Sequence, residues 1–403
     1  MKRILIIVDG HFGATLPLVK AFNEKKYKVD YVYVTGASAL NGLEGIDIDK
    51  DLVMGVNKVQ PDKTNTFFDY VNSNLTNFYV VRLPRPFGRI PILKDIISIV
   101  IDGIIKYLSF KVNMNNYELI NIVGRYNSDN VYKIVKRLPK DKTFISLHEV
   151  CNHANKGNLN LMPKLIKYVE KNGCNIILHS QNSYNDWVQI YGPSKTELNI
   201  IHFGLFDSYK TIIPVHSILP DGLNDYVLFF GRIVPYKGLS RLYNAVVSTS
   251  VFSSVKFVVA GGGNDEVINK MKNDNRFVVI NRYINNGELV SLIQKCRFVV
   301  CPYNSISQSG IVQTAFVFNK PVVATNLDAF REILDNNVTG ELFDGDNYKT
   351  FIDAMLRMYD DNYYKNVVNN IRNFDNLKPK YSWKYIIEQY LNLKNSMLEK
   401  SYL

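Results

Sequence analysis

Short apolar runs alternate with helix-like patterns along the whole chain, and this constrains the fold more than any other feature. In the first half the runs are ILIIV (residues 4–8), VDYVYV (29–34), FYVVRL (78–83), TFISL (143–147), NIILHS (175–180) and NIIH (199–202). The pattern then weakens through LFDSYKTIIPVHSILPDGLNDY, whose Pro, Gly and Asp content marks a linker over residues 205–225. It restarts with YVLFFGR (226–232), VKFVVAGGG (255–263), FVVINRYI (277–284), RFVVCPY (297–303) and KPVVAT (320–325). Helical spacing fills intervals such as 15–25, 239–247, 288–296 and 348–359. Such alternation is the signature of parallel sheets with crossover helices. The reading is α/β, with two doubly wound, Rossmann-like parallel-sheet domains. The first covers residues 1–205 and is rejoined by the tail helix of 381–403; the second covers 206–380. With 403 residues, each has enough chain to bury a core. Ligands of such sheets bind at the carboxyl ends of the strands, so a cleft between the two domains is the default site.

The composition, 46% hydrophobic and 21% charged, is that of an ordinary soluble protein. The formal net charge of +11 favours acidic or phosphorylated partners. The excess sits in residues 1–200, with 26 Lys and Arg against 18 Asp and Glu, and suits a weak attraction to an anionic membrane surface. No interleaved basic-aromatic repeat points to nucleic acid. The four cysteines form no CxxC pair and no metal spacing, which fits a reducing, cytoplasmic compartment. The opening MKRILIIVDG reads as a buried strand. The stretch IISIVIDGIIKYLSF (96–110) is interrupted by Asp102, Gly103 and Lys106 and is too short to span a bilayer. A core-facing helix is the preferred reading, an amphipathic helix on a membrane surface the other.

Four clusters stand just past strand ends. In DGHFGA (9–14), Gly10 and Gly13 let backbone approach a ligand, or make a plain turn. In LHEVCNH (147–153), His148 is placed to bond a sugar hydroxyl or to be a satisfied core histidine; His153, five residues on with no third ligand, makes a metal site a poor fit. In FFGRIVPYKG (229–238), Gly231, Arg232 and Lys237 put two cations on one rim, able to clamp a diphosphate or to pair on the surface. In NSISQSGIVQTAFVFNKPVVAT (304–325), Ser307, Gln308, Ser309 and Gly310 precede a helical run from Ile311. Ser307 can cap that helix, or its free amides can seat an anion. Two anion-binding devices at one edge favour a phosphate seat, with the amides of Ser309, Gly310 and Ile311 as contacts.

These residues resemble the retaining nucleotide-sugar glycosyltransferases of family 4, which have the GT-B fold of two domains facing across a cleft. Gly231-Arg232 and Lys237-Gly238 match the family's G-R and K-G; His148 matches its strand-end histidine, and His148-Glu149 with His153 its HD-x-x-x-H variant. His202-Phe203-Gly204 is similar to its turn before the linker, and Ala260-Gly261-Gly262-Gly263 to its A-G-x-G. The loop Asn281-Arg282-Tyr283-Ile284 corresponds to the one that meets the nucleobase. Ile306 and Thr314 stand where most members carry two Glu residues. The chain instead resembles a bacterial subgroup with Pro302-Tyr303 and Gln308-Ser309-Gly310-Ile311, and it matches the family's later Glu only at Glu332.

The resemblance implies sugar transfer from a nucleoside-diphosphate sugar to a sugar, glycan or lipid-linked hydroxyl acceptor, in bacterial surface polysaccharide or glycolipid synthesis. The first domain would be the acceptor side. Arg232 and Lys237 would hold the donor diphosphate, with Gln308 gripping part of the donor. His148 would act at the sugar, and retention would run by same-face substitution. No metal or separate cofactor is expected, and the protein would work in the cytoplasm or at the inner face of its membrane. A sugar-nucleotide 2-epimerase and a nucleotide-sugar-binding scaffold without turnover are the alternatives.

Overall fold

A computed structural model describes residues 2–10, 12–36, 52–59, 70, 73–84, 91–151, 162–215, 218–306 and 310–401. The chain divides into two compact units, residues 1–204 with 380–403, and residues 205–379.

The first unit carries an eight-stranded sheet, with β1 Arg3–Asp9, β2 Lys28–Gly36, β3 Gly55–Val59, β4 Asn77–Leu83, β5 Leu119–Gly124, β6 Thr143–Leu147, β7 Asn175–Leu178 and β8 Leu198–Ile200. Its order is β3-β4-β2-β1-β5-β6-β7-β8. Every pairing is parallel except β3 with β4, an antiparallel edge that the apolar-run reading does not contain. Ile4 to Val8 are fully buried, because β1 lies mid-sheet and is apolar on both faces. It neighbours both β2 and β5, so the strand order reverses there.

Asp30 and Asn121, two of the buried polar residues of this sheet, are both satisfied. Asp30 of β2 accepts from Arg3, from Asn77 Nδ2 at 2.8 Å and from the Tyr117 hydroxyl. Asn121 of β5 accepts from Ser146 Oγ at 2.7 Å and donates to the Tyr390 hydroxyl at 3.3 Å. Tyr390 belongs to the tail helix Trp383–Ser401, which packs on helix Phe12–Glu24 of this unit. Lys394 of the same helix donates to Glu118 at 3.0 Å. The helix expected over 15–25 thus starts earlier and takes Gly13 into its first turn.

Between β4 and β5 the chain crosses over through helix Pro91–Val112. Ile105, Leu108 and Val112 face the core, so the core-facing reading holds for that side. The opposite side exposes Ile96, Ile99, Val100, Tyr107 and Phe110. Among the described residues no helix is long and apolar enough to cross a membrane.

The second unit is a six-stranded, all-parallel sheet. Its strands are β9 Tyr226–Phe230, β10 Phe257–Ala260, β11 Phe277–Ile280, β12 Cys296–Cys301, β13 Val322–Thr325 and β14 Gly340–Phe343, in the order β11-β10-β9-β12-β13-β14. This is the Rossmann order, reversing between β9 and β12. β14 escapes the sequence reading because it carries a fully buried Glu341, which is met by Arg357 and Tyr363.

The strand pairing continues past β9 and β10 as a backbone lace. The Gly231 amide donates to Ala260 O, the Ile233 amide to Gly262 O and the Gly261 amide to Ile280 O, all at 3.0 Å. Gly261 has φ +152°, and a Cβ there would sit 1.8 Å from the Gly231 carbonyl oxygen. Strain and overpacking at such a site each cost about 1–3 kcal/mol, so Gly261→Ala is expected to destabilise the second unit by about 2–6 kcal/mol in urea denaturation.

Candidate functional site

The carboxyl edge of the second sheet collects most of the residues that the sequence singles out. β9 ends in Phe230, and the chain passes through Gly231 and Arg232 into the short 3-10 turn Pro235–Lys237 before helix Leu239–Val247. The loop leaving β12 is locked onto this turn. Gly238, at φ +69°, is tight enough against it that a Cβ would lie 1.8 Å from the Pro302 carbonyl oxygen. Arg241 donates to the carbonyls of Pro302 and Tyr303 at 2.8 and 2.9 Å, and the Asn304 amide donates to Tyr236 O at 2.8 Å. The two strands that flank the reversal of order are thus joined by their loops.

Lys237 points its ammonium over the fully buried Tyr303 ring, 3.8 Å from the centroid. Burial pushes its pKa down to about 8; the Cys301 sulfur opposes this and the Arg232 charge adds to it. Arg232 is exposed, with Nη2 3.4 Å from the Tyr236 hydroxyl. Its neighbour across the lace is a cavity of about 290 Å³, lined by Gly231, Arg232, Gly261, Gly262, Tyr283 and Ile284 among others. The structure therefore brings the G-R pair, the A-G-x-G turn and the loop after β11 to one hollow. In that loop the Arg282 side chain turns to Glu288, with two bonds of 2.9 and 2.8 Å, and holds the Glu288 carboxyl below its usual range. Glu288 also closes a capping box with Asn285 at the start of helix Asn286–Lys295. The Arg282 guanidinium is a brace for the loop, while Tyr283 and Ile284 line the hollow.

Gln308 and Ser309, with Ser307, lie outside the described residues. Gly310 caps helix Ile311–Val317 at φ −77°, which any residue adopts. Glycine is needed there for packing, since a Cβ would come 2.7 Å from the Phe206 ring. Ile311 approaches the G-R turn, its Cδ1 3.7 Å from the place of a Cβ on residue 231. Glu332 follows helix Asp328–Arg331, and its carbonyl accepts from Lys378 Nζ at 3.3 Å.

At the carboxyl edge of the first sheet, Gly10 follows β1 at φ +84° and Asp9 accepts from Ser128 Oγ at 2.5 Å. Burial raises the Asp9 pKa, which the Ser128 bond opposes. Three adjacent strand ends carry histidines: His148 after β6, His179 after β7 and His202 after β8. His148 donates its backbone amide to Gly124 O at 3.1 Å, and its ring lies 5.7 Å from that of Phe203. The His179 ring stacks on Phe203 at 3.8 Å and places Nδ1 2.7 Å from the Ile201 carbonyl. That carbonyl can only accept, so Nδ1 carries the proton and Nε2 is the bare nitrogen, with no partner among the described residues. His153 lies outside them. Burial lowers the His148 pKa against the pull of Glu149 and lowers that of His179 to about 3. Both rings are neutral near pH 7. Sequence reasoning missed His179, although its place after the run NIIL repeats that of His148 after TFISL. Among the described residues no three His, Cys, Asp or Glu side chains gather as a metal site would need.

Known proteins share this fold. Residues 224–361, within the second unit, match the family described as Glycosyl transferases group 1. The whole chain superposes on a sucrose-phosphate synthase from Thermosynechococcus elongatus, with a TM-score of 0.64 and 15% identity over 99% of this chain and 100% of that one. It also superposes on HepE of Anabaena in complex with UDP and glucose, with a TM-score of 0.60 and 15% identity over 98% and 100%. The fold is GT-B. An uncharacterized glycosyltransferase of Methanocaldococcus jannaschii is 24% identical over 41% of this chain and 46% of its own length. An uncharacterized protein of the cps region of Klebsiella pneumoniae is 25% identical over 32% and 35%. The chain spans less than half the length of each of these two relatives.

A buried neutral histidine makes stability pH-dependent. The unfolded chain protonates His179 near pH 6.5, but the folded chain does not until about pH 3. Stability is therefore lost as pH falls through that window, by up to ~1.4 kcal/mol per pH unit for each such group. Urea unfolding across that range is expected to show a shallower slope for His179→Gln than for the native chain.

Proposed function

We propose that this protein transfers a sugar from a nucleoside-diphosphate sugar to a hydroxyl acceptor, with retention at the anomeric carbon. The observation that carries this reading is Arg232 on the wall of the hollow past β9, with Lys237 near enough for the two charges to interact. The residues fit a diphosphate: a planar guanidinium that bonds two oxygens, a compact ammonium, and a glycine-lined backbone that admits the ligand closely. The relatives support it. The matched family is one of glycosyl transferases, and the Anabaena protein holds UDP and glucose. The adjoining hollow suits a base or ribose, against Tyr283 and Ile284.

Departure of the nucleoside diphosphate builds negative charge on its terminal phosphate, and stabilising that charge is the main catalytic work of such a site. Arg232 and Lys237 meet it without calling on a metal. In a same-face substitution the acceptor oxygen bonds the anomeric carbon on the side from which the diphosphate leaves. The acceptor proton passes to the departing phosphate oxygen. For His148, a neutral strand-end ring, the proposed role is a hydrogen bond to the sugar or acceptor hydroxyl. The acceptor belongs in this reading to a surface polysaccharide or glycolipid, which the cps-region relative favours.

Charge-assisted hydrogen bonds contribute about 1.5–3 kcal/mol each, so Arg232→Ala and Lys237→Ala should each weaken UDP or GDP binding about tenfold to a hundredfold, with melting temperature unchanged. Calorimetric titration checks this, and native affinity together with native turnover in both variants would refute the clamp. His148→Ala is expected to lose turnover while keeping nucleotide affinity. Incubating the nucleotide sugar with and without acceptor separates transfer from epimerisation, and NMR of the product's anomeric signal reports retention.

The Lys237 pKa adds a pH signature. A bound diphosphate favours the ammonium and raises its pKa above the free value of about 8. Affinity should therefore fall as pH rises through about 8, with uptake of up to one proton on binding, read in buffers of different ionisation heat. Lys237→Ala should abolish the uptake.

A further inference from the structure

Helix Pro91–Val112 has two apolar sides, and among the described residues only one is packed into the core. Ile105 and Leu108 are 1% and 0% exposed, packed in the core of the first unit. On the other side Ile96, Ile99 and Val100, then one heptad on from Val100, Tyr107 and Phe110, form one stripe with Gly103 between the two groups. Ile99 is 71% exposed and Phe110 82%. Exposed apolar side chains scattered singly need no account, but a contiguous row of five on one helix marks an interaction surface. Val53 and Met54, also exposed, lead into β3, the strand this helix packs against.

Asp95 is exposed beside Ile96 at the start of the stripe, and the other described charges along the helix sort by side. Asp102 is turned to the neighbouring helix Asp129–Val135 and its end, where Lys133 and Arg137 pair with it at 3.3 and 3.5 Å. Lys106 and Lys111 flank the apolar stripe, one on either side, exposed and in no ion pair among the described residues. An apolar row edged by free lysines suits a surface that offers acyl chains beneath negative headgroups. It does not suit a second copy of the chain, which would set lysine against lysine along the rim.

We infer that the stripe Ile96, Ile99, Val100, Tyr107 and Phe110 docks this protein on an anionic lipid bilayer, with Lys106 and Lys111 at the headgroups. The helix begins where the chain returns from β4, at the sheet edge that carries Gly10 and His148. The stripe starts near that edge with Ile96 and runs away from it to Phe110. Docking of this surface does not depend on the reaction proposed above.

Co-sedimentation of the full chain with vesicles tests it. Binding is expected to vesicles of mixed phosphatidylglycerol and phosphatidylcholine, and to be about tenfold or more weaker for pure phosphatidylcholine. Ile99→Asn and Phe110→Asn should each weaken binding to the mixed vesicles about tenfold, the loss of a buried large apolar side chain. Lys106→Glu and Lys111→Glu should remove the preference for phosphatidylglycerol. All four positions are exposed, so melting temperatures should match the native chain. Failure of the native chain to sediment with mixed vesicles, or equal binding by native chain and Ile99→Asn, overturns the proposal. So does a dimer in light scattering that Ile99→Asn dissolves, since a second copy would then occupy the stripe.

Discussion

Everything proposed for the second unit depends on backbone approaching backbone at the carboxyl edge of its sheet. The strand ladder between β9 and β10 runs on beyond both strands, and the Gly231 carbonyl presses against Gly261. On the other flank the turn at Gly238 presses against the Pro302 carbonyl, and Arg241 ties down that carbonyl and the next one of the loop. Loops held this way lose little further freedom when a ligand arrives, so the side chains on them are positioned in advance. Arg232 and Lys237 sit on that frame, one just past β9 and the other at the end of the turn it braces.

The two sheet edges hold different chemistry, and burial explains the difference. In the first unit His148 and His179 are enclosed, and enclosure disfavours the imidazolium, so these two offer neutral rings. In the second unit the cations divide the work. Arg232 is exposed and presents a planar guanidinium to solvent. Lys237 is enclosed against Tyr303 and holds its proton only weakly. An anion beside Lys237 would relieve that burden, which makes the lysine the more discriminating of the two.

The strands that read as continuous apolar runs were legible from the sequence, β1, β6 and β12 among them, and so was the helix over 239–247. Two of those that were not legible carry a residue whose partner lies far along the chain. β5 hides behind Asn121, met by Ser146 and by Tyr390 from the tail, and β14 behind Glu341, met by Arg357 and Tyr363. β3 is a short edge strand holding Asn57 and Lys58, and no pattern of burial announces it. The G-R and K-G pairs were legible because spacing alone puts them past a strand. The reason for Gly310 was not, since Phe206, which fills the space above it, stands about a hundred residues earlier. The sequence leaves residues 96–110 a choice between core and surface, and the structure gives their helix one side of each.

The same buried polar residues also say how such uniform strands keep their register. Runs like ILIIV and NIIL present similar side chains at every step, so apolar contact alone distinguishes poorly between pairings. A slip of β5 by one residue would turn Asn121 away from Ser146 and Tyr390 to the other face and leave an amide buried without partners. That penalty is about 1–3 kcal/mol for each orphaned group, more for the carboxylates of Asp30 and Glu341. The register that satisfies Asp30 joins β2 to Arg3 of β1, Asn77 of β4 and Tyr117 before β5 at once. Because the partners of Asn121 include the tail helix, the first sheet is fully specified only when residues 383–401 have packed on it. The residues that blur the strands in the sequence are therefore the ones that align them in the fold, and with them the strand ends on which His148 and His179 stand.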